Sequence, residues 1–358
     1  MKPDGGSPDA GSASPPALVY VDDLSRGIRR RRHGRGFSYV DASGAAVRDP
    51  AVLARIRGLA VPPAWRQVWI CPDPAGHIQA TGRDERGRKQ YRYHADWERL
   101  RQETKFRRLV EFGAALPLLR SRLAEDMARR GLCRDRVVAA VVDLLDRTLI
   151  RIGNDAYARD NASFGLTTLL NRHVAVEGTA LRFSFTGKSG RTWNIGLTDR
   201  RLANLVRFCQ ELPGQRLFQY RDADGELHAV GSGDVNAYLR EIAGEVVTSK
   251  HFRTWAATVR AAVLLAAEPP PASAREAARR INAALDQVAA RLGNTRAVCR
   301  TSYVHPLVLD RYAGGALADE LAARRPRPVD GLSEEEARVL AWLRRGTRRR
   351  ERSRAWPN

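Results

Sequence analysis

The chain has 358 residues and a formal net charge of +21, from 61 Lys and Arg against 40 Asp and Glu. That length accommodates two domains with a sizeable core, and a charge of this size calls for a polyanionic partner, most simply nucleic acid. Its four cysteines, Cys71, Cys133, Cys209 and Cys299, are scattered without a CxxC pair, which excludes a disulfide framework and a zinc site and fits a reducing compartment.

Residues 1–16 are mostly Gly, Ser, Pro, Asp and Ala, the composition of a disordered tail. They contain no apolar run resembling a signal peptide, and the later AAVLLAA is too short to cross a bilayer. No membrane partner is expected, and the expected location is cytoplasmic, with the nucleoid. From Leu18, short aromatic and β-branched segments alternate with turn residues. WRQVWICPD, GHIQATG and KQYRYH read as strands, with RDERGR as the loop joining the last two. A β-rich domain over 17–100 follows.

After Trp97 the apolar spacing becomes helical, with an interruption expected at Pro117. VVAAVVDLLDRTLIRIG reads as a second helix, with Val141, Leu145 and Ile152 on one face and Arg151 at its close. LRFSFTGKSGRTWNIGL reads as a β-hairpin with Lys188 at its tip. FRTWAATVRAAVLLAA is a buried helix that Arg253 enters. The next helix starts at a capping box, Ser273 with Glu276, and stops at Gly293. A mainly helical domain over 101–320 is expected, then a C-terminal helix and basic tail over 321–358. The fold class is therefore α+β: a small antiparallel β-rich N-terminal domain, then a mainly α-helical domain carrying a β-hairpin.

Five polar residues carry the chemistry: Arg151, Lys188, Arg253, Asn294 and Tyr303. Singly, each has an ordinary explanation. An arginine complements a helix C-terminus, a lysine occupies a turn, an asparagine caps a helix and a tyrosine half-fills a core. Together they supply two permanent cations, a proton donor, a neutral hydrogen-bond donor and a phenol. Phosphodiester cleavage requires charge neutralisation at the nonbridging oxygens and a proton for the departing alkoxide. No acidic cluster for metal binding accompanies them, and no nucleotide-binding signature is present, so neither a metal nor any other cofactor is expected.

The order RxGxxxY, SxGLTTL (Ser163 to Leu169), FxGKSG, KHFRTW and LGNT…CRTSYVHP resembles the type IB DNA topoisomerases of the compact, poxvirus-like kind found also in bacteria. The resemblance runs from about Leu18 to Tyr312, and the β-rich segment resembles that family's DNA clamp. It implies that Tyr303 attacks phosphorus and becomes linked to a 3′-phosphate. Lys188 would protonate the departing 5′ oxygen, and Arg151 and Arg253 would hold the nonbridging oxygens. It further implies relaxation of supercoiled double-stranded DNA by strand rotation and religation without ATP or metal, by a monomer clamped around the duplex. Many family members carry histidine where this chain has Asn294, so the role there is hydrogen bonding rather than proton transfer.

Gln90, Tyr91 and Tyr93 match family positions at the major groove, and Tyr157 and Lys250 match positions near the scissile phosphate. Alternation puts Tyr91 and Tyr93 on one face of their strand, where packing in the clamp core is the competing expectation. The runs Arg29–Arg32 and RRRERSR are read as backbone-contacting or floppy, adding salt dependence to DNA binding. Two other functions fit parts of the pattern. A tyrosine recombinase or integrase shares the Arg, Lys, Arg and Tyr chemistry, but lacks the clamp and places His three residues before its second arginine, where this chain has Lys250. A non-catalytic architectural DNA binder would explain the charge alone.

Overall fold

The computed structural model describes residues 18–323 and 326–355. The tail expected over 1–16 lies outside the described residues. The chain divides into two compact units, one ending at Lys105 and the other beginning at Phe106.

The first unit is a five-stranded antiparallel sheet: β1 (Ile28–His33), β2 (Gly36–Val40), β3 (Arg66–Ile70), β4 (Ile78–Arg83) and β5 (Lys89–Tyr93), in the order β2-β1-β3-β4-β5. Helix α1 (Pro50–Gly58) lies between β2 and β3 in sequence. Its core is Ile28, Ile56, Val68, Ile70 and Ala80. The three strands legible in the sequence form. The arginine run does not behave as a floppy segment: Arg29–Arg32 lies within strand β1 and pairs along its length with β2, and Arg29 also pairs with Trp69 of β3. Arg30 explains how an arginine-rich stretch holds a strand. Its Nη2 donates to the Trp65 carbonyl at 2.6 Å, and its guanidinium lies 4.1 Å over the Phe37 ring.

Helix α2 (Ala95–Met127) carries the chain into the second unit and continues through Pro117, where an interruption was expected. Proline removes the hydrogen bond that would reach back to Gly113 and crowds that carbonyl with its ring, but packing holds the helix on both sides. Leu109, Phe112, Leu116 and Leu119 are all fully buried. There follow α3 (Arg134–Thr148), α4 (Asp155–Asn161), the three-stranded antiparallel sheet β6 (Val174–Glu177), β7 (Ala180–Thr186) and β8 (Thr192–Thr198), α5 (Arg200–Gln210) and the small hairpin β9 (Gln219–Arg221) with β10 (Leu227–Ala229). The remaining helices are α6 (Ser232–Ala243), α7 (Ser249–Ala266), α8 (Ala274–Leu292), α9 (Arg296–Ser302), α10 (Pro306–Ala313), α11 (Leu317–Ala322) and α12 (Glu334–Ala355). The basic C-terminal run is thus part of a helical backbone as far as Ala355.

Helix α7 lies at the centre of this unit, with Phe252, Trp255, Ala257, Ala261 and Leu265 buried. Helix α12 packs on it through a polar clasp. Ser333 and Glu336 cap each other's backbone at the start of α12. Glu336 also accepts from Arg120 at 2.7 Å and from Trp255 Nε1 at 3.0 Å, while Arg120 pairs with Asp146 at 2.8 Å. Burial pushes the Glu336 carboxyl up, but Arg120 and the cap bonds outweigh it and hold the carboxyl below the ordinary glutamate range.

A group held low in this way stabilises the fold above its ordinary pKa and loses that contribution as pH falls through the folded value. Glu336→Ala is expected to lower unfolding free energy by about 1–3 kcal/mol at neutral pH. The difference from wild type should shrink as pH falls through the folded pKa of Glu336, measured by urea unfolding across a pH series.

Candidate active site

Arg151 was expected at the close of a helix. It lies instead beyond the helix, because Leu149 adopts a left-handed conformation (φ 58°, ψ 18°) and ends α3. Ile152 leaves the helical face for the same reason. This segment is braced by the turn that follows α4. Leu166 N donates to Arg151 O at 2.9 Å and Thr167 N donates to Ile152 O at 2.7 Å. Gly165 is required here: a Cβ on it would lie 2.5 Å from Arg151 O. The SxGLTTL segment is thus the support beneath Arg151.

Arg253 is on the first turns of α7 and is 4% exposed. Its Nη1 donates to Leu149 O and its Nη2 to Leu292 O, the latter at 2.6 Å. Its Nε is buried without a hydrogen-bond partner. Helix α8 ends where Gly293 adopts φ 62°, and Asn294 N returns to Ala289 O at 3.0 Å. The turn delivers Asn294 Oδ1 to the Arg151 guanidinium, which donates to it. Asn294 Nδ2 is also buried without a partner.

A short helix that the sequence did not reveal, α9, separates Asn294 from Tyr303, which caps its end. Tyr303 is half-buried, and its ring centre lies 5.3 Å from the Arg253 guanidinium carbon. Thr258 of α7 ties this residue to the same helix as Arg253: its hydroxyl donates to Tyr303 O at 3.2 Å and accepts from His305 N at 3.1 Å. No pattern in the sequence marks Thr258. Burial pushes the Tyr303 phenol up, but Arg253, then Arg151 and Asn294, outweigh it and leave the phenol below its ordinary value. Arg253 is itself lowered, first by burial and next by the charge of Arg151.

Arg151, Arg253, Asn294 and Tyr303 therefore form one cluster. Lys188 does not touch it; its side chain is exposed on the turn between β7 and β8. That turn is tied to the segment beneath Arg151, since Phe164 N donates to Thr186 O at 2.8 Å. Tyr157 is 56% exposed on α4, and Lys250 is exposed at the start of α7. In the first unit, Gln90 donates to Asp84 at 2.9 Å. Tyr91 and Tyr93 share a face of β5, as alternation requires, and stack with ring centres 5.7 Å apart. Neither joins the core of this unit, and Tyr91 is 41% exposed, so the core-packing expectation is corrected. Among the described residues, no group of three or more His, Cys, Asp or Glu could hold a metal ion, and no helix is long and apolar enough to cross a membrane.

An antiparallel sheet unit followed by a mainly helical unit, with two arginines converging on a tyrosine, is the arrangement of a type IB DNA topoisomerase. Residues 94–318 match the catalytic core of eukaryotic DNA topoisomerase I, and residues 36–84 match the N-terminal domain of bacterial DNA topoisomerase IB. DNA topoisomerase 1B of Acanthamoeba polyphaga mimivirus is 32% identical over 296 residues, covering 81% of this chain and 88% of the relative. The chain belongs to the type IB DNA topoisomerase family. It is an isomerase whose substrate is DNA, which sets aside the recombinase and architectural readings.

The charge balance around Tyr303 can be measured directly. Tyrosinate absorbance, taken as the difference between wild type and Tyr303→Phe, should titrate below the ordinary phenol range. In Arg253→Ala the same titration should move to higher pH, because a cation that favours the phenolate has been removed while burial remains.

Proposed function

We propose that the protein relaxes supercoiled duplex DNA through a covalent phosphotyrosyl intermediate at Tyr303. The observation that supports this most directly is the phenol set against the buried Arg253 guanidinium and acidified by it. An ordinary phenol, with a pKa near ~10, is almost wholly protonated at neutral pH. Cations that favour its ionised form turn it into a nucleophile.

In the forward step Tyr303 loses its proton to solvent and its oxygen attacks the scissile phosphorus. The Tyr303 O–P bond forms as the P–O5′ bond breaks. Arg151 and Arg253 neutralise the nonbridging oxygens in the pentacoordinate transition state, where such donors are each worth roughly 2.7–4 kcal/mol. Buried donors at Arg253 Nε and Asn294 Nδ2, both without a protein acceptor, suit contact with phosphate oxygens. Asn294 also holds Arg151 through Oδ1. Lys188 gives a proton to the departing 5′ oxygen and takes it back during religation.

The 3′-phosphotyrosyl ester retains the energy of the broken bond, so strand rotation and resealing proceed without ATP or a metal ion. The enzyme works as a monomer on duplex DNA, in the nucleoid. Tyr91 and Tyr93 form a stacked platform for the major groove, with Gln90 on the same strand, and Tyr157 and Lys250 contact the backbone near the scissile phosphate.

Plasmid relaxation in a chelator without ATP tests the reading. Wild type should relax the plasmid and leave a denaturant-stable protein–DNA adduct; Tyr303→Phe should do neither. Arg253→Ala should slow single-turnover cleavage by about a hundred-fold or more. Relaxation by Tyr303→Phe at the wild-type rate would overturn the proposal.

A further inference from the structure

The exposed turn of Lys188 must be held in register with a cluster that its side chain does not touch. Trp193 is the group that bridges the two. It sits near the base of the turn on β8, opposite Phe185 of β7, and the two rings lie parallel with centres 6.3 Å apart. The indole is 9% exposed. A Cβ on Gly187, the residue before Lys188, would lie 2.7 Å from Trp193 Nε1. A Cβ on Gly293, the residue before Asn294, would lie 2.6 Å from Trp193 Cζ2. The pyrrole ring of the indole therefore presses on the lysine turn and its fused benzene ring on the end of α8. Arg191 reinforces the second contact, its Nη2 donating to Ala290 O at 3.4 Å.

The two glycines are needed for different reasons. Gly293 has a left-handed backbone (φ 62°) that favours glycine in its own right. Gly187 does not: its φ of −101° and ψ of −167° are open to any residue. What forbids a side chain at Gly187 is the indole itself. At both glycines the missing side chain lets one ring touch the backbone, and at Gly187 the ring is the sole reason.

We propose that Trp193 is a positioning residue for Lys188, a rigid spacer that fixes the height of the lysine turn relative to Asn294 and the cluster it belongs to. The inference rests on reading Lys188 as the general acid. A flexible lysine on an unsupported hairpin tip would sample many positions. A proton donor must come within hydrogen-bond reach of the 5′ oxygen as the P–O5′ bond breaks, and small displacements of such groups are costly in rate. The indole limits that displacement without touching the reacting atoms.

The test uses a leaving group that needs no acid. In a 5′-bridging phosphorothiolate the departing atom is sulfur, and a thiol titrates near ~8.5, far below an alcohol. The phosphorothiolate is placed at a cleavage site mapped with wild type, and single-turnover cleavage is compared with the ordinary phosphodiester. Trp193→Leu and Gly187→Ala are both measured; the second keeps the tryptophan but pushes the ring from the turn. Both should cleave the phosphodiester about ten- to a hundred-fold slower than wild type, and both should recover the wild-type rate on the phosphorothiolate, as Lys188→Ala should. Thermal melting reports folding, and Gly187→Ala decides the matter should Trp193→Leu not fold. Loss that persists on the phosphorothiolate while Lys188→Ala recovers would make Trp193 general core packing and overturn the inference. Undiminished cleavage of the phosphodiester would overturn it too. Failure of Lys188→Ala to recover would instead withdraw the general-acid reading on which it stands.

Discussion

A buried guanidinium organises this site. Removing a cation from water is expensive unless hydrogen bonds replace the lost hydration. Arg253 finds those bonds at Leu149 O and Leu292 O, where α3 and α8 end. Terminal helix carbonyls are free to accept and carry the negative end of the helix dipole, so they suit a cation. These carbonyls belong to the residues two before Arg151 and two before Asn294. One side chain thereby fixes the exit directions of two helices, and those exits bring Arg151 and Asn294 into hydrogen bonding with each other.

The same constraint explains a strained residue. Leu149 is left-handed, which costs an ordinary side chain roughly 1–2 kcal/mol. Such conformations persist only where the surroundings over-determine them. Leu149 is 1% exposed, its carbonyl is held by Arg253, and its N–H closes α3 onto Leu145 O. The strain has a consequence for the site: it ends the helix before Arg151 and lets that side chain reach Asn294.

Around this centre the fold supplies rigidity rather than further charge. Thr258 binds the Tyr303 backbone to the helix that carries Arg253. Glu336 fastens α12 to the same helix through Trp255. Gly165 lets the threonine turn approach the Arg151 backbone closely enough for two hydrogen bonds. The phenol is acidified because these supports keep two cations at short range in a half-buried setting, where charges interact more strongly than in water.

Much of this was legible in one dimension. The strands β3, β4 and β5 announced themselves by aromatic and β-branched residues between turns, and β7 and β8 by alternation around a glycine-flanked tip. Helix α8 was bounded by Ser273 and Gly293, each with a local chemical reason to be there. What escaped had no local reason. Strand β1 is mostly arginine, and it becomes a strand because Arg30 reaches carbonyls more than 30 residues away in sequence. Helix α2 runs through Pro117 because its neighbours bury both flanks. Arg151 left the expected helix because a leucine took a conformation that glycine usually takes.

The sequence by itself determined which functional groups are present, their order along the chain and the kinds of element that carry them, since residue type and periodicity are written there. Only the tertiary structure decided which atoms meet. Arg253 bonds to carbonyls 104 and 39 residues distant. Every residue has a carbonyl, so no side-chain pattern could have named Leu149 and Leu292 as its partners.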